Sequence, residues 1–344
     1  MLLHIQDENK ITIYSSLQSG CNDCLLNFTK ESQLIRCPNT GNRLRVGKKA
    51  NIYGSVFVCC EDRRKSGRRM KDLLELYCSF LPSFKEFRDT ILINHQTQFK
   101  RLLHNLVTCN AHIGQHIYSL LPEDQLTKAG TEVRNTASEI IKSKPNEAAR
   151  VLLKVLKNSN HMQAEFTVFN KLYAKDVSIE LKSHSLHKIL LVVLNSFWYD
   201  FIVNSVEIQI GKCYEKVEVD YETIAAALTH VLDNITKYIA HGSDLIITFK
   251  TTKRTVKIIF EMISMRVEDI ELKKIFNEGY SGKYPSEKSI AGNGIGFFMV
   301  RKLLALNNSE IRFIPRYQEI ETEINIDGIP YDNNRVELIF KRKK

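Results

Sequence analysis

Apolar residues recur at every seventh position twice in the middle of this chain, and that spacing predicts its longest elements. Leu92, Phe99, Leu106, Ile113 and Leu120 form the first series, with Leu102 and Ile117 on the same side. A seven-residue period keeps one apolar stripe aligned along a long helix. A helix is therefore predicted from about Phe84 to Leu121, ended by Pro122-Glu123-Asp124, because proline lacks the N–H that a helix interior uses. Ile141, Ala148, Val155, Met162 and Phe169 make the second series. Two such helices joined by a short turn form a hairpin whose stripe calls for cover, and dimerisation into a four-helix bundle supplies it. Pro145 either kinks the second helix or marks its true start.

The flanks follow other periods. Residues 1 to about 80 carry short runs such as Ile11-Thr12-Ile13-Tyr14 and Ser55-Val56-Phe57-Val58 between polar turns, the pattern of a small α/β or β-rich input domain. After about residue 176, helical patterns at 185–200, 220–240 and 297–306 interleave with strand-like runs. Those runs cover 206–210, 216–219, 245–250, 255–261, 311–314 and 335–341. Hairpin-like strands mixed with helices predict a two-layer α/β sandwich, so the chain reads as multidomain α+β. The expected division is 1–80, 81–176 and 177–344.

Composition narrows this picture. A chain of 344 residues is too long for one ordinary core. With 43% hydrophobic and 26% charged residues it has the balance of a soluble globular protein. The most apolar run, 189–203, is interrupted by Asn195 and Asp200 and reads as a buried helix rather than a membrane span. The N-terminus has no charged-then-apolar leader pattern, and a cytoplasmic protein is expected. Cys21 and Cys24 form a C-x-x-C, with Cys37, Cys59 and Cys60 downstream. Four of these could hold zinc, but the second pair is not a C-x-x-C and the irregular intervals favour buried thiols of a small sensor-like domain. The net charge of +10 is partly gathered at 63–71 and 341–344. Without aromatic-interleaved basic motifs, these read as a solvated linker and tail, and nucleic acid is not the expected partner.

Candidate chemistry concentrates near the C-terminus. Gly292-Asn293-Gly294-Ile295-Gly296 runs directly into an apolar-periodic helix. Glycines let the backbone approach a ligand closely, and the helix start presents unpaired N–H groups and a positive dipole end, which together cradle phosphate. Upstream, His230 and Asn234 stand one helical turn apart on a shared face. An amide oxygen such as that of Asn234 is a hard ligand suited to Mg²⁺, and Lys237 can neutralise phosphate charge. Taken alone, this is also the polar face of any surface helix.

Together, 228–239, 292–304 and the intervening Ile275-Phe276-Asn277-Glu278-Gly279-Tyr280-Ser281-Gly282 resemble the ATP-binding domain of sensor histidine kinases, the GHKL or Bergerat-fold ATPase. The resemblance covers roughly residues 180–342. It implies that Asn234 binds Mg²⁺, that His230 organises water or metal, and that Lys237 and Tyr238 flank the phosphates and base of ATP. It also implies that Gly292, Asn293, Gly294 and Gly296 wrap the phosphates. One element departs. The family's first glycine box, D-x-G-x-G, falls about nine residues before Ile275-Phe276, where this chain has Met262, Ser264 and Arg266. The family's aspartate accepts the adenine amino hydrogen, which methionine cannot do. Such a loss costs on the order of 1.5–3 kcal/mol, so a weakened ATP site is expected. Arg266 would either clog the pocket or reach a phosphate.

Phe99-Lys100-Arg101-Leu102-Leu103-His104-Asn105-Leu106-Val107-Thr108 resembles the phosphoacceptor box of the same family. With Phe99 and Leu106 on the seam, His104 falls on the outer side, where an exposed imidazole can act as a nucleophile. His95, His112 and His116 are the alternatives on this helix, and His95 and His116 fall toward the seam. Asn105 replaces the acid that many family members place after the histidine, and an amide cannot serve as a general base. Thr108 stands where a polar residue positions water for dephosphorylating a partner. The resemblance implies a homodimeric protein-histidine kinase that phosphorylates His104 from ATP and passes the phosphoryl group to a separate response-regulator receiver domain. The two departures leave open a pseudokinase or a histidine phosphotransferase of the same architecture.

Overall fold

The computed structural model describes residues 1–18, 20–21, 28–60, 67–127, 130–174, 177–288, 294–318 and 324–342. The chain divides into two units, Met1–Gln98 and Phe99–Lys344.

The first unit is built on five antiparallel strands, β1 (Leu2–Asp7), β2 (Thr12–Ser15), β3 (Gln33–Arg36), β4 (Arg43–Asn51) and β5 (Gly54–Cys60). Their order is β2-β1-β5-β4-β3. Alternate side chains face opposite sides of a sheet. Ile5, Val56 and Val58 accordingly pack against Met70, Leu74 and Cys78 of helix α1 (Gly67–Ser79). Leu44, Val46 and Phe57 form a second cluster with Phe28. Helix α2 (Leu81–Leu120) begins in this unit, where the Arg88 Nη1 donates to the buried Asp7 carboxylate at 2.5 Å. That carboxylate also accepts the backbone N–H of Asn9 and Ile11, which fixes the β1–β2 turn. Cys24 and the basic residues 63–66 lie outside the described residues. Among the described residues, no group of three His, Cys, Asp or Glu side chains suits a metal ion.

In the second unit, the remainder of α2 is followed by α3 (Glu123–Leu126), α4 (Thr131–Ser143) and α5 (Pro145–Leu172). Pro145 occupies the first turn of α5, where its missing N–H has no helical partner to lose, so it starts the helix and does not kink it. The two heptad series meet at their ends. Leu120 packs with Ala148, Val151 and Val155, and Phe99 stands 6.1 Å from Phe169, ring centre to ring centre. Between those ends Val107 and Leu152 remain 67% and 68% exposed.

The rest of this unit contains β6 (Lys182–Ser185), α6 (Leu186–Val203), β7 (Glu207–Ile210), β8 (Lys216–Val219), α7 (Tyr221–Tyr238), β9 (Asp244–Thr251) and β10 (Thr255–Met265). After them come α8 (Lys283–Glu287), α9 (Gly296–Leu306), β11 (Glu310–Ile314), β12 (Ile324–Ile326) and β13 (Ile329–Lys341). A mixed sheet runs β11-β13-β10-β9-β7, with β7 parallel to β9 and the other pairs antiparallel. Leu190, Leu194 and Phe197 of α6, Val231 of α7 and Leu303 of α9 share one core with Ile247, Phe260 and Leu338 of the sheet. Ala164 and Val168 of α5 belong to that core too. Among the described residues α6 is the one helix long and apolar enough to cross a bilayer, and its Leu190 side is buried in this core. Asp220 caps α7 by accepting the Thr223 N–H at 2.9 Å.

The largest departure from the sequence reading lies in β10. It continues to Met265, beyond the expected end near 261, and pairs Met262 with Asn334 and Ser264 with Asp332 on β13. Met262 and Ser264, which stand where the family's first glycine box falls, are therefore strand residues. Alternating side chains that fit a pleated, paired surface favour that outcome where glycines are missing.

Candidate functional site

A cavity of about 560 Å³ opens where α2, α5, α7, the end of β10 and the loop before α9 converge. Its wall includes Asn234 and His230 of α7, Gly294 and Gly296, the strand residues Met262 and Ser264, and His104 of α2.

The glycines have separate reasons to be there. Gly294 adopts φ +65°, and a Cβ on it would stand 2.5 Å from the Gly279 carbonyl carbon and 2.6 Å from that of Tyr280. Its backbone lies directly on the 279–280 backbone, which leaves no room for a side chain. A Cβ on Gly296 would instead stand 2.7 Å from the Asn234 Nδ2. The glycine loop and the polar helix thus meet across the cavity. Ile295, the residue before α9, gives the helix no side-chain cap. Gly292 and Asn293 lie outside the described residues.

On α7 the charges are already paired. The Lys237 Nζ donates to Asp233 Oδ2 at 2.5 Å, and His161 Nε2 of α5 lies 3.7 Å from Asp233 Oδ1. Burial pushes the Asp233 carboxyl up, but Lys237 and His161 outweigh it and hold it below the usual range. Burial against the Phe197 ring, 5.6 Å away, takes His161 down to about 4 despite the carboxylate. His230 is also lowered by burial, against the opposing pull of Glu165 and Asp233. Its Nε2 is buried with no hydrogen-bond partner among the described residues. Tyr238 lines the same cavity.

Met262 is buried in β10 and offers the cavity a thioether and no acceptor oxygen. The Ser264 Oγ accepts from Asn334 Nδ2 at 2.9 Å. Arg266 borders the cavity, but its guanidinium donates to both oxygens of Asp332 at 3.1–3.2 Å. That pair with Asp332 holds the guanidinium at the cavity border. Beyond it, the buried Glu271 carboxylate accepts the Tyr280 hydroxyl at 2.7 Å and the Lys283 N–H at 2.9 Å, which secures the segment before the glycine loop.

From α2, His104, Asn105 and Thr108 all border the cavity. His104 is exposed, and the Thr108 hydroxyl donates to its backbone carbonyl at 2.9 Å. His112 also borders the cavity, whereas His116 is half-buried and burial holds it below the usual histidine range. His95, expected toward the seam, is exposed in the first unit. Sequence reasoning missed Arg101 and the α5 residues Lys157, His161 and Glu165, which complete the wall. The α5 trio repeats every fourth residue, a helical-face signal present in the sequence.

No known family matches the sequence, and no curated protein matches it. Among solved structures the chain is similar to the mycobacterial sensor histidine kinase MprB, at 12% identity and TM-score 0.39, over 48% of this chain and 99% of that one. It is also similar to full-length ShkA in complex with AMPPNP, at 14% identity and TM-score 0.43, over 72% of this chain and 46% of that one. Histidine kinase ThkA in complex with response regulator protein TrrA matches at 11% identity and TM-score 0.39, over 100% of this chain and 96% of that one.

Proposed function

We propose that this chain is a protein-histidine kinase of two-component signalling, with His104 as its phosphoacceptor and ATP as its phosphoryl donor. The observation that carries this reading is that His104, Asn234 and Gly296 border one cavity within one unit of the chain. The residues fit the donor. Gly296 leaves room for the Asn234 carboxamide at the cavity wall, where a Cβ would stand 2.7 Å from Nδ2, and Asn234 supplies an amide oxygen for Mg²⁺. When bound, Mg²⁺ would neutralise phosphate charge. His230, with its buried unpartnered Nε2, is suited to hold a water beside Asn234.

In the reaction, a ring nitrogen of His104 uses its lone pair to form an N–P bond to the γ-phosphorus. The bond from that phosphorus to the bridging oxygen breaks, and ADP leaves with the electron pair. The imidazolium proton passes to water, because Asn105 cannot accept it. The phosphoryl group then moves to an aspartate of a separate receiver domain. The exposed Leu103 and Val107 on α2 and Leu152 on α5 support pairing of two chains through a four-helix bundle. A cytoplasmic setting fits this reading.

The rival is a phosphotransferase or pseudokinase of the same architecture, and the buried Met262 favours it, since it leaves the base without its usual acceptor. Incubation with γ-labelled ATP and Mg²⁺ separates the two. Acid-labile label on the wild type, absent from His104→Ala and Asn234→Ala, supports the kinase. Label acquired only from a phosphorylated receiver supports the relay and overturns the kinase.

A further inference from the structure

We propose that Arg101 is a catalytic residue that contacts the terminal phosphoryl group of the nucleotide as it passes to His104. This rests on the proposed kinase reading and assigns that site a cation which the family resemblance does not supply.

Among the described residues, four lysines and arginines border the cavity: Arg101, Lys157, Lys237 and Arg266. Three are engaged at hydrogen-bonding distance. Lys157 meets Asp200 at 2.9 Å, Lys237 meets Asp233 at 2.5 Å, and Arg266 meets Asp332 at 3.1 Å. Arg101 neighbours the Tyr173 hydroxyl as a hydrogen-bond partner but forms no ion pair at hydrogen-bonding distance among the described residues. Its Nη1 lies 3.7 Å from Glu278 Oε1, beyond a normal hydrogen bond, and its guanidinium carbon is 5.9 Å from the centre of the Tyr173 ring. Its Nε is buried and has no partner among the described residues. A buried N–H left without an acceptor is costly, and a phosphate oxygen entering the cavity would satisfy it.

Position along the helix supports the same role. Arg101 precedes His104 by three residues, so both side chains reach the cavity from adjacent turns of one helix face. A guanidinium beside the nucleophile stands where charge spreads over the equatorial oxygens during transfer, which is where an arginine acts most strongly. The N–P bond forms and the P–O bond to ADP breaks as described above, and Arg101 exchanges no proton or electron pair. Glu278 is its counter-ion before the phosphate arrives.

The test uses the full chain with ATP and ADP, each with Mg²⁺. Arg101→Gln should weaken ATP binding about tenfold and leave ADP within about twofold, because ADP lacks the phosphate concerned. It should also slow labelling of His104 by about 100-fold or more, with partial recovery in Arg101→Lys. Glu278→Gln should shift affinity the other way, toward ATP over ADP. Loss of ATP and ADP binding together in Arg101→Gln would assign Arg101 a structural role and overturn the proposal. Labelling at the wild-type rate in that variant, or a fall in ATP preference in Glu278→Gln, would overturn it equally. A wild type that neither binds nucleotide nor labels removes the kinase reading itself.

Discussion

Gly296 lies directly against the Asn234 carboxamide, so that a Cβ on the glycine would stand 2.7 Å from Nδ2 and 3.0 Å from Oδ1. The obstructing atoms are the end of a side chain, which can swing aside. Alanine is favoured over glycine in a helix by about 1 kcal/mol. Gly296→Ala should therefore leave stability to urea within about 1 kcal/mol of wild type and weaken Mg²⁺-dependent nucleotide binding by about tenfold or more. Gly294→Ala differs, because its φ of +65° and the 279–280 backbone cannot yield. That variant should lose on the order of 1–3 kcal/mol as well as binding. Unchanged binding in both variants would count against the glycine loop as a ligand cradle.

Met262 lines the cavity with a thioether, and on the proposed ATP reading an adenine amino group there would lack an acceptor. Met262→Asp should tighten ADP binding about tenfold, as a charge-assisted hydrogen bond is gained. It should also destabilise the ligand-free chain, since the new carboxylate is buried in β10. Calorimetric titration and urea unfolding read the two effects separately. Unchanged affinity would mean that the base does not rest on β10.

His161 sets a pH dependence. Its folded value of about 4 lies below the unfolded 6.5. Between those values the unfolded chain binds a proton that the folded chain refuses, so stability falls as pH drops through that window. Above it the group contributes no slope. The loss should amount to a few kcal/mol by about pH 4 and be reduced in His161→Gln. Urea unfolding followed by the fluorescence of Trp198, the sole tryptophan, measures it.

In the first unit, Arg88 satisfies an Asp7 carboxylate whose side chain keeps 1% of its surface. The Arg88 hydrogen bond holds that carboxyl below its usual 3.8, so the stabilisation is full above that value and is lost as pH falls through the lower folded one. Arg88→Ala should destabilise this unit on the order of 3 kcal/mol at neutral pH and move the acid loss upward. Amide exchange in β1 and β5 would report it.

Much of this architecture is legible because apolar stripes are local signals. Val231 and Ile235 on α7, and Val300 and Leu304 on α9, carry helical spacing in the sequence and face the core. Pro145 shows where local reading stops, since kink and start differ only in what precedes the residue. The extension of β10 was hidden because Met262 and Ser264 are read through the motif they replace, whereas their register comes from Asn334 and Asp332 on β13. Arg266 met the same difficulty, its partner Asp332 being 66 positions away. Asn234, Gly294 and Gly296 are recognisable by order and spacing. Lys157, His161 and Glu165 show by their four-residue spacing that they share a helix face, but their place in the cavity depends on α5 packing beside α7, a contact that no local pattern encodes.

Calorimetric titration of ADP into the wild type and Asn234→Ala, with and without Mg²⁺, tests the proposed role of the cavity most directly. Saturable binding that strengthens with Mg²⁺ and disappears in the variant is the predicted result. Absence of any binding heat at millimolar nucleotide, or equal binding by both proteins regardless of Mg²⁺, would contradict it.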